Sequence, residues 1–585
     1  MSVPRIPKSA SIPLLLALAN TGHAQEPTLP ELLAHQPLRV ALHSLAAEHP
    51  TRIQLLNVGA SRAGRAIDAL RFAPGERTGS QPAILVVANL EGPQVHTSTL
   101  ALELARRLAS AEGQDDLAAM LAKTTVYLIP RANPDGAEAR FETPLMEQPA
   151  TGAGVDNDRD GRRGEDGPSD VDGDGVITQM RVEDPAGTWI KDPADARALI
   201  TADPEHGELG RYKLLVEGRD GDGDGEVGED PPHDARVNEN FPQDWREHTP
   251  SAGLFPTDEP EARSLAEFVL HHKDIGLVLV LGAADNLAEP PPAVSDDAPS
   301  KNRIPPSGTL KSDAVLLKEL ARRLDEAGLA PAPGTAPGAG SFQAWCEAQR
   351  GLPTLSLRPW RPPLDEAAQG DAAQEESAGP DSPTKAQAVR KKPSKKDKDA
   401  ADDKPSEAVR ALAWIDRSGA SKRFLPWTSF DHPELGPLEI GGLAPYALIE
   451  PPAEELPALV AGLAAALPVM AAALPRVTVS SFTAHDLGGD IYELEAAVAN
   501  NALLPLRSAA ALRARTPRPL SLHLNLPAGG DLLAGEAIQS IKNLAGSGGR
   551  QELRWLVRHP DPTAISIVVQ GDHVGQAQAQ PEITQ

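Results

Sequence analysis

The sequence predicts an α/β protein, a mixed sheet flanked by helices, followed by a C-terminal all-β sandwich. Three observations carry this. First, four short apolar runs, 82–89 (PAILVVAN), 123–130 (KTTVYLIP), 275–281 (IGLVLVL) and 353–357 (PTLSL), alternate with stretches of helical periodicity. Continuous apolar runs of this length suit strands buried on both faces, and their alternation with helices suits a sheet covered on both sides. Second, from Arg476 onward the segments VTVSSFTAHD, DIYELEAAVAN, LSLHLNLPA, ELRWLVRH and AISIVVQGD alternate apolar and polar residues between Gly, Pro and Asp turns, the spacing of a β-sandwich. Third, residues 362–408 turn abruptly to Ala, Lys, Asp, Glu, Ser and Pro. Such a stretch has almost nothing to bury and is expected to be a disordered insertion.

In chain order, residues 1–25 combine a basic start (Arg5, Lys8), a short apolar run and small residues ending at Ala24. This is the pattern of a signal peptide and implies an exported, periplasmic or extracellular protein. Residues 26–361 form the α/β domain, with an Asp-rich insertion at 150–235. Leu100, Leu104 and Leu108 mark one helical face, Leu265, Phe268 and Val269 another, and further helices fit 311–327 and 341–349. Residues 409–474 complete the α/β domain. Their Ala-rich stretch Leu456–Leu474 is interrupted by Pro457 and Pro468, which suits a packed helix rather than a membrane span. Residues 475–575 form the sandwich, and 576–585 read as a frayed tail.

A net charge of −26 argues against nucleic acid, whose phosphates need a basic surface. Cys346 is the only cysteine, so no disulfide within the chain holds the fold. Much of the negative charge is concentrated in three Asp-x-Asp-x-Asp-Gly runs. Asp156, Asp158 and Asp160 are followed by Asp166; Asp220, Asp222 and Asp224 are followed by Asp230; between them lie Asp170, Asp172 and Asp174. Alternate carboxylates converge on a cation where a glycine permits the sharp turn, and flexible all-oxygen coordination suits calcium. Gly167, Arg181 and Pro231 stand where an EF-hand carries its twelfth-position Glu, so these are half loops, with Asp166 and Asp230 available to complete two of them.

Several segments together resemble the secreted zinc carboxypeptidases of the carboxypeptidase A family. ILVVANLEGPQVHTSTLALELARRL resembles their strand, metal loop and helix, and IPRANPDGAEARF their Asn-Pro-Asp-Gly segment. VNENFPQDW and DEPEARSLAEFV resemble their Asn-Arg-Asn-Phe and Glu-Pro-Glu segments, and GSFQAWCEAQRGLPTLSLRPW their last helix and strand. The resemblance implies zinc held by two His and one Glu, a Glu general base, and arginines gripping the substrate carboxylate. Zinc so held keeps an open position for an activated water.

The implied positions are altered here. Glu91 stands for the first His, Gln94 for the metal-ligand Glu, and Gly282 for the second His; Glu239 replaces an arginine, and Ser356 the general base. A neutral amide is a poor zinc ligand, and an unassisted serine cannot take up a proton near neutral pH. His96, His233, His248, His271 and His272 are the candidates for a displaced zinc site. Arg131, Arg140 and Asn238 remain candidates for contacting substrate, and Arg358 is a candidate ion-pair partner for Glu91 or Glu239.

The expectation is therefore a calcium-stabilised, catalytically inactive carboxypeptidase-like protein that binds or scaffolds a peptide or envelope partner, with no membrane span. The alternatives are an active metallocarboxypeptidase or amidase with a non-standard zinc site, and an adhesion or assembly protein acting through its β-domain.

Overall fold

The computed structural model describes residues 29–73, 81–113, 115–147, 167–221, 227–228, 235–299, 305–364 and 405–584. The expected signal peptide, Asp156, Asp158, Asp160, Asp166, Asp222, Asp224, Asp230, His233 and most of the charged insertion lie outside the described residues.

Along the chain, β1 (Ile53–Ala60), β2 (Ala66–Phe72), β3 (Ala83–Ala88) and β4 (Thr125–Ile129) come first. The Asp-rich insertion contributes β5 (Gln179–Glu183), β6 (Trp189–Lys191), β7 (Leu199–Thr201) and β8 (Tyr212–Val216). They are followed by β9 (Ile275–Leu281), β10 (Thr354–Leu357), β11 (Phe424–His432) and β12 (Gly436–Leu443). The main sheet has the order β1-β2-β4-β3-β9-β10. β4, β3, β9 and β10 run parallel, while β1 and β2 enter as an antiparallel hairpin. The sheet is therefore mixed, as expected, and the expected strands overlap β3, β4, β9 and β10.

Side-chain alternation along β3 explains the continuous apolar run. Ile84, Val86 and Ala88 enter one core with Leu277, Leu279, Leu281, Leu355 and Leu357. Ala83, Leu85 and Val87 enter a second core with Val278 and Val280 on the opposite face. Helices 35–48, 95–110, 311–326 and 456–473 cover the first face, and helices 260–271 and 342–350 the second. The helix Leu456–Ala473 is long and apolar enough to cross a membrane by length and composition. It nevertheless packs into the first core, where Leu463, Ala466, Leu467 and Met470 are all at most 1 % exposed.

Two parts of the sequence reading are corrected. Part of 409–474 leaves the main sheet: β11 and β12 join the insertion strands in a second sheet, β11-β12-β5-β8-β6-β7. A small core of Met180, Val227, Leu438 and Ile440 stabilises it, a pairing across more than two hundred residues that local periodicity does not reveal.

The other correction concerns the C-terminal part, which comprises β13 (Val477–Gly488), β14 (Ile491–Asn500), β15 (Leu520–Asn525), β16 (Asp531–Ala534), β17 (Ile538–Ile541), β18 (Gly549–Arg558), β19 (Ser566–Gly571), β20 (Gly575–Ala579) and β21 (Glu582–Thr584). They form two sheets, β16-β18-β14-β13-β21 and β17-β15-β19-β20. Leu494, Ala496, Val498, Trp555 and Val557 from one sheet meet Leu520, Leu522, Leu524, Ile567 and Val569 from the other in a shared core. The expected frayed tail instead supplies β20 and β21. β21 pairs in parallel with the edge of β13, satisfying backbone groups that an open edge would leave to water.

Candidate functional site

The parallel strands β3, β9 and β10 end level, with Ala88 opposite Leu281 and Leu281 opposite Leu357. Ligands of α/β sheets bind beyond such carboxyl ends. Glu91 and Gly282 follow two of these ends, and Ser356 lies at the third. The chain turns out of β3 through Asn89, whose φ of 55° is left-handed. The Asn89 side-chain amide donates to the carbonyls of Glu91 (2.9 Å) and Gly92 (3.2 Å), which holds the loop that carries Glu91.

The Glu91 carboxylate fills the space that a larger residue at 282 would need. A Cβ on Gly282 would lie 2.4 Å from Glu91 Oε2. Asn238 Nδ2 donates to Glu91 Oε1 at 2.7 Å, and the Phe342 N–H donates to Asn238 Oδ1 at 2.9 Å. Asn238 thereby ties the Glu91 loop to the start of helix 342–350. Glu91 Oε2 is buried without a hydrogen-bond partner. Burial pushes this carboxyl above its usual range, opposed by the Asn238 hydrogen bond. The arrangement is a carboxyl clasped by an amide and packed on a glycine.

The remaining family positions do not rebuild a metal centre. Gln94 precedes helix 95–110, where its carbonyl accepts from the Thr97 hydroxyl at 2.7 Å. The Ser356 N–H donates to Asn286 Oδ1 at 2.8 Å, while its hydroxyl is buried and unpartnered. His96, 1 % exposed, has neither ring nitrogen hydrogen-bonded. Burial, with a contribution from Arg358, lowers its pKa to about 3, so it is neutral. His271 and His272 bond through Nδ1 to Glu267 and Phe268 carbonyls of their own helix, and precede β9 at the other end of the sheet. His248 is exposed, with φ 64°.

Among the described residues, the one group of three or more His, Cys, Asp or Glu side chains close enough to share an ion is Asp170, Asp172 and Asp174. A zinc ion needs at least three protein donors of the right type. Glu91, Gln94, Gly282 and Ser356 supply one carboxylate, already clasped by Asn238, so the residues do not fit the family's zinc ion.

The residues expected to contact substrate have partners within the protein. Arg131 is 3 % exposed and donates to Ser98 Oγ at 3.2 Å and to the Leu33 carbonyl at 2.7 Å. Burial lowers its pKa to about 10. Arg140 grips Glu450 with two hydrogen bonds, at 2.6 and 3.0 Å, and lies over the Tyr446 ring. Asn238 is committed to Glu91 and Phe342. Glu239 turns into its own loop, pairing with Arg236 at 3.1 Å and accepting from Ser251 Oγ at 2.6 Å. Arg358 donates to the Trp360 and Pro333 carbonyls instead of meeting Glu91 or Glu239. A backbone carbonyl within two residues is a nearer acceptor than a carboxylate across the cleft.

Asn133 and Asp135 hold turns. Asn133 Oδ1 accepts from the Gly136 N–H, and Asp135 accepts from Ser61, Ala63 and Arg65. Phe241, fully buried, packs on Phe342 and Trp345. Gln343, 3 % exposed with both amide atoms unpartnered, and Asn286 were not singled out in the sequence; no local pattern distinguishes them from ordinary helix and loop residues.

The Asp170 loop is better preserved. One ligand oxygen from each of Asp170, Asp172 and Asp174 lies within 4.8 Å of the others. Asp170 accepts from the N–H groups of Gly173, Asp174 and Gly175, and Asp174 from that of Val176. Glu217, fully buried, closes both ends of the loop by accepting from the N–H groups of Val171 (2.7 Å) and Thr178 (2.9 Å). Burial raises the Asp172 pKa, and repulsion from Asp174 and Asp170 adds to it. Asp220 begins the third run; its N–H donates to Glu434.

The zinc carboxypeptidase family profile matches residues 38–352, and a domain of unknown function, DUF8731, matches residues 476–582. Carboxypeptidase A2 of Mus musculus is 34% identical over 96 residues, covering 16% of this chain and 22% of that protein. Carboxypeptidase E of Caenorhabditis elegans is 29% identical over 132 residues, covering 21% and 28%. The chain thus matches only about a quarter of the length of these relatives. Among solved structures, the carboxypeptidase A from Helicoverpa armigera is 15% identical with a TM-score of 0.33, covering 57% of this chain and 66% of that one. A metallo-carboxypeptidase from Pseudomonas aeruginosa is 14% identical with a TM-score of 0.27, covering 54% and 58%. With the profile spanning more than half of its 585 residues, the chain belongs to the zinc carboxypeptidase family.

Proposed function

We propose that this family member no longer hydrolyses peptides and serves as a binding or scaffold protein of the cell envelope, stabilised by calcium. One observation carries the reading: the Glu91 carboxyl packs against Gly282 and is held by Asn238, so protein atoms occupy the space of the family's metal ligands. Ser356 leaves the general-base position without a carboxylate. Glu239 stands where the family carries an arginine and is paired with Arg236, and Arg131 and Arg140 are already engaged. What remains at the strand ends is a cleft without the family's catalytic set, which an exported peptide or envelope partner would occupy as a bound rather than a cleaved ligand.

The test is metal analysis of the purified full chain together with hydrolysis assays on peptides with varied C-terminal residues. The expected result is calcium without stoichiometric zinc, and no turnover. One zinc per chain with turnover sensitive to a chelator would overturn the reading. It would favour the rival in which the unpartnered ring of His96 serves a displaced zinc site. Calcium is tested separately by melting in calcium and in chelator: an unchanged melting temperature would remove the stabilising role.

A further inference from the structure

At the end of the main sheet opposite Glu91, the segments entering β9 and β10 meet the C-terminal part around a cleft of about 250 Å³. Its charged lining comprises His272 and Lys273 before β9, Arg350 before β10, Arg515 and Arg518 after the helix Ala509–Ala514, and Asp572 between β19 and β20. Four permanent cations thus face one carboxylate in a chain whose net charge is −26. Several other arginines in this protein are matched, among them Arg62 with Glu259, Arg65 with Asp135, Arg140 with Glu450 and Arg181 with Glu439. Among the described residues, Lys273, Arg350, Arg515 and Arg518 form no ion pair. Arg350 Nε is shielded from solvent and has no hydrogen-bond partner.

The backbone segments that carry these cations meet in a close junction. Gly351, next to Arg350, has φ +67°, and a Cβ there would lie 2.2 Å from Ala511 Cα. Ser508 Oγ donates to the Gly351 carbonyl at 3.0 Å, and this bond is buried. The Gly276 backbone in β9 likewise approaches Leu474 and His573. The backbone on the two sides of the cleft therefore does not have to be ordered by a ligand, which favours binding.

We propose that this junction binds a phosphate group, presented as free inorganic phosphate or as a small phosphomonoester. Guanidinium forks match tetrahedral oxyanions with paired hydrogen bonds, and a lysine adds a point charge. A monovalent anion would leave most of the positive charge uncompensated. No aromatic ring other than the His272 imidazole lines the cleft, so stacking contributes little and the charged group supplies the recognition. The site is separate from the Glu91 cleft and does not depend on how that cleft is used.

The experiment is calorimetric titration of the full chain with inorganic phosphate at low ionic strength in a calcium chelator, with parallel titrations of glycerol 3-phosphate, succinate, sulfate and chloride. Saturable one-site binding of phosphate or of the ester is expected; tighter binding of the ion identifies free phosphate as the ligand, and tighter binding of the ester a phosphomonoester. The double variant Lys273→Ser, Arg518→Ser removes two exposed side chains. It should keep its melting temperature without ligand and lose at least about tenfold in affinity. Absence of saturable binding, equal binding by the double variant, tighter binding of succinate or sulfate than of phosphate and the ester, or chloride binding as tight as phosphate would each overturn the proposal.

Discussion

At Glu91 a carboxyl, an amide and a glycine depend on one another. Removing Asn238 leaves a buried carboxyl without its hydrogen bond, so Asn238→Ala should cost about 1–3 kcal/mol. Gly282→Ala should cost a similar amount, about 1–3 kcal/mol, by pushing the Glu91 carboxylate off Asn238. Because both substitutions break the same contact, the double variant should lose clearly less than the sum, as measured by denaturant unfolding. Additive losses would show that Glu91 is not the shared element.

Glu261 offers a pH-dependent case. It is fully buried, Oε2 has no partner, and burial raises its pKa to about 7, with Asp135 and Glu259 adding repulsion. The folded state holds this proton more tightly than the unfolded chain. Its contribution is therefore complete below the unfolded value near 4.5 and is lost as pH rises through about 7. Glu347, whose pKa burial also raises to about 7, acts in the same direction. Glu261→Gln should be nearly neutral at pH 5 and stabilise by about 1–3 kcal/mol at pH 8. A stability difference independent of pH would rule the titration out.

At the level of elements, the insertion is organised by its Asp loop. Asp170 orients the turn through three backbone N–H groups, and Glu217 pins its ends. Convergent carboxylates repel until a cation binds. Added calcium should therefore raise the melting temperature, and the effect should shrink as pH falls into the carboxylate range. Asp172→Asn keeps the loop's shape and removes one charged ligand. It should weaken calcium affinity by about tenfold or more, measured by calorimetry; unchanged affinity would place the ion elsewhere. The helix Leu456–Ala473 shows how composition underdetermines placement. The same apolar sequence could face lipid or protein, and contacts with helices 95–110 and 311–326 beneath the main sheet make it a core element.

For the whole molecule, the main sheet and the C-terminal sheets are joined by specific polar contacts. Asp313 on helix 311–326 accepts from the N–H groups of Ala509 (2.7 Å) and Ala510 (2.9 Å), which open the helix Ala509–Ala514. Asp313→Ala should leave these donors unpaired, cost about 1–3 kcal/mol, and raise hydrogen exchange at 509–514 while sparing β3 and β9. Protection unchanged at 509–514 would mean that the apolar packing alone sets the docking.

Much of this was legible in the chain. The apolar runs of β3, β4, β9 and β10 identify strands because both faces of each are buried, and that property is local. The alternating C-terminal segments are equally readable, and so is the Asp170 loop, whose spacing encodes its convergence. That Glu91, Gln94 and Gly282 stand at the expected ligand positions, Glu239 at that of an arginine and Ser356 at that of the general base was also readable by position. What the Glu91 carboxyl does instead was not, because Asn238 and Gly282 reach it from strand ends and loops far apart in the chain. Nor could the pattern around Arg131, Arg140 and Arg358 reveal that each guanidinium already has protein acceptors. The sequence by itself determined which segments are buried and which residues stand at the family's expected positions. The tertiary structure decided which polar groups meet, because hydrogen bonds and ion pairs depend on distances between segments that no local pattern specifies.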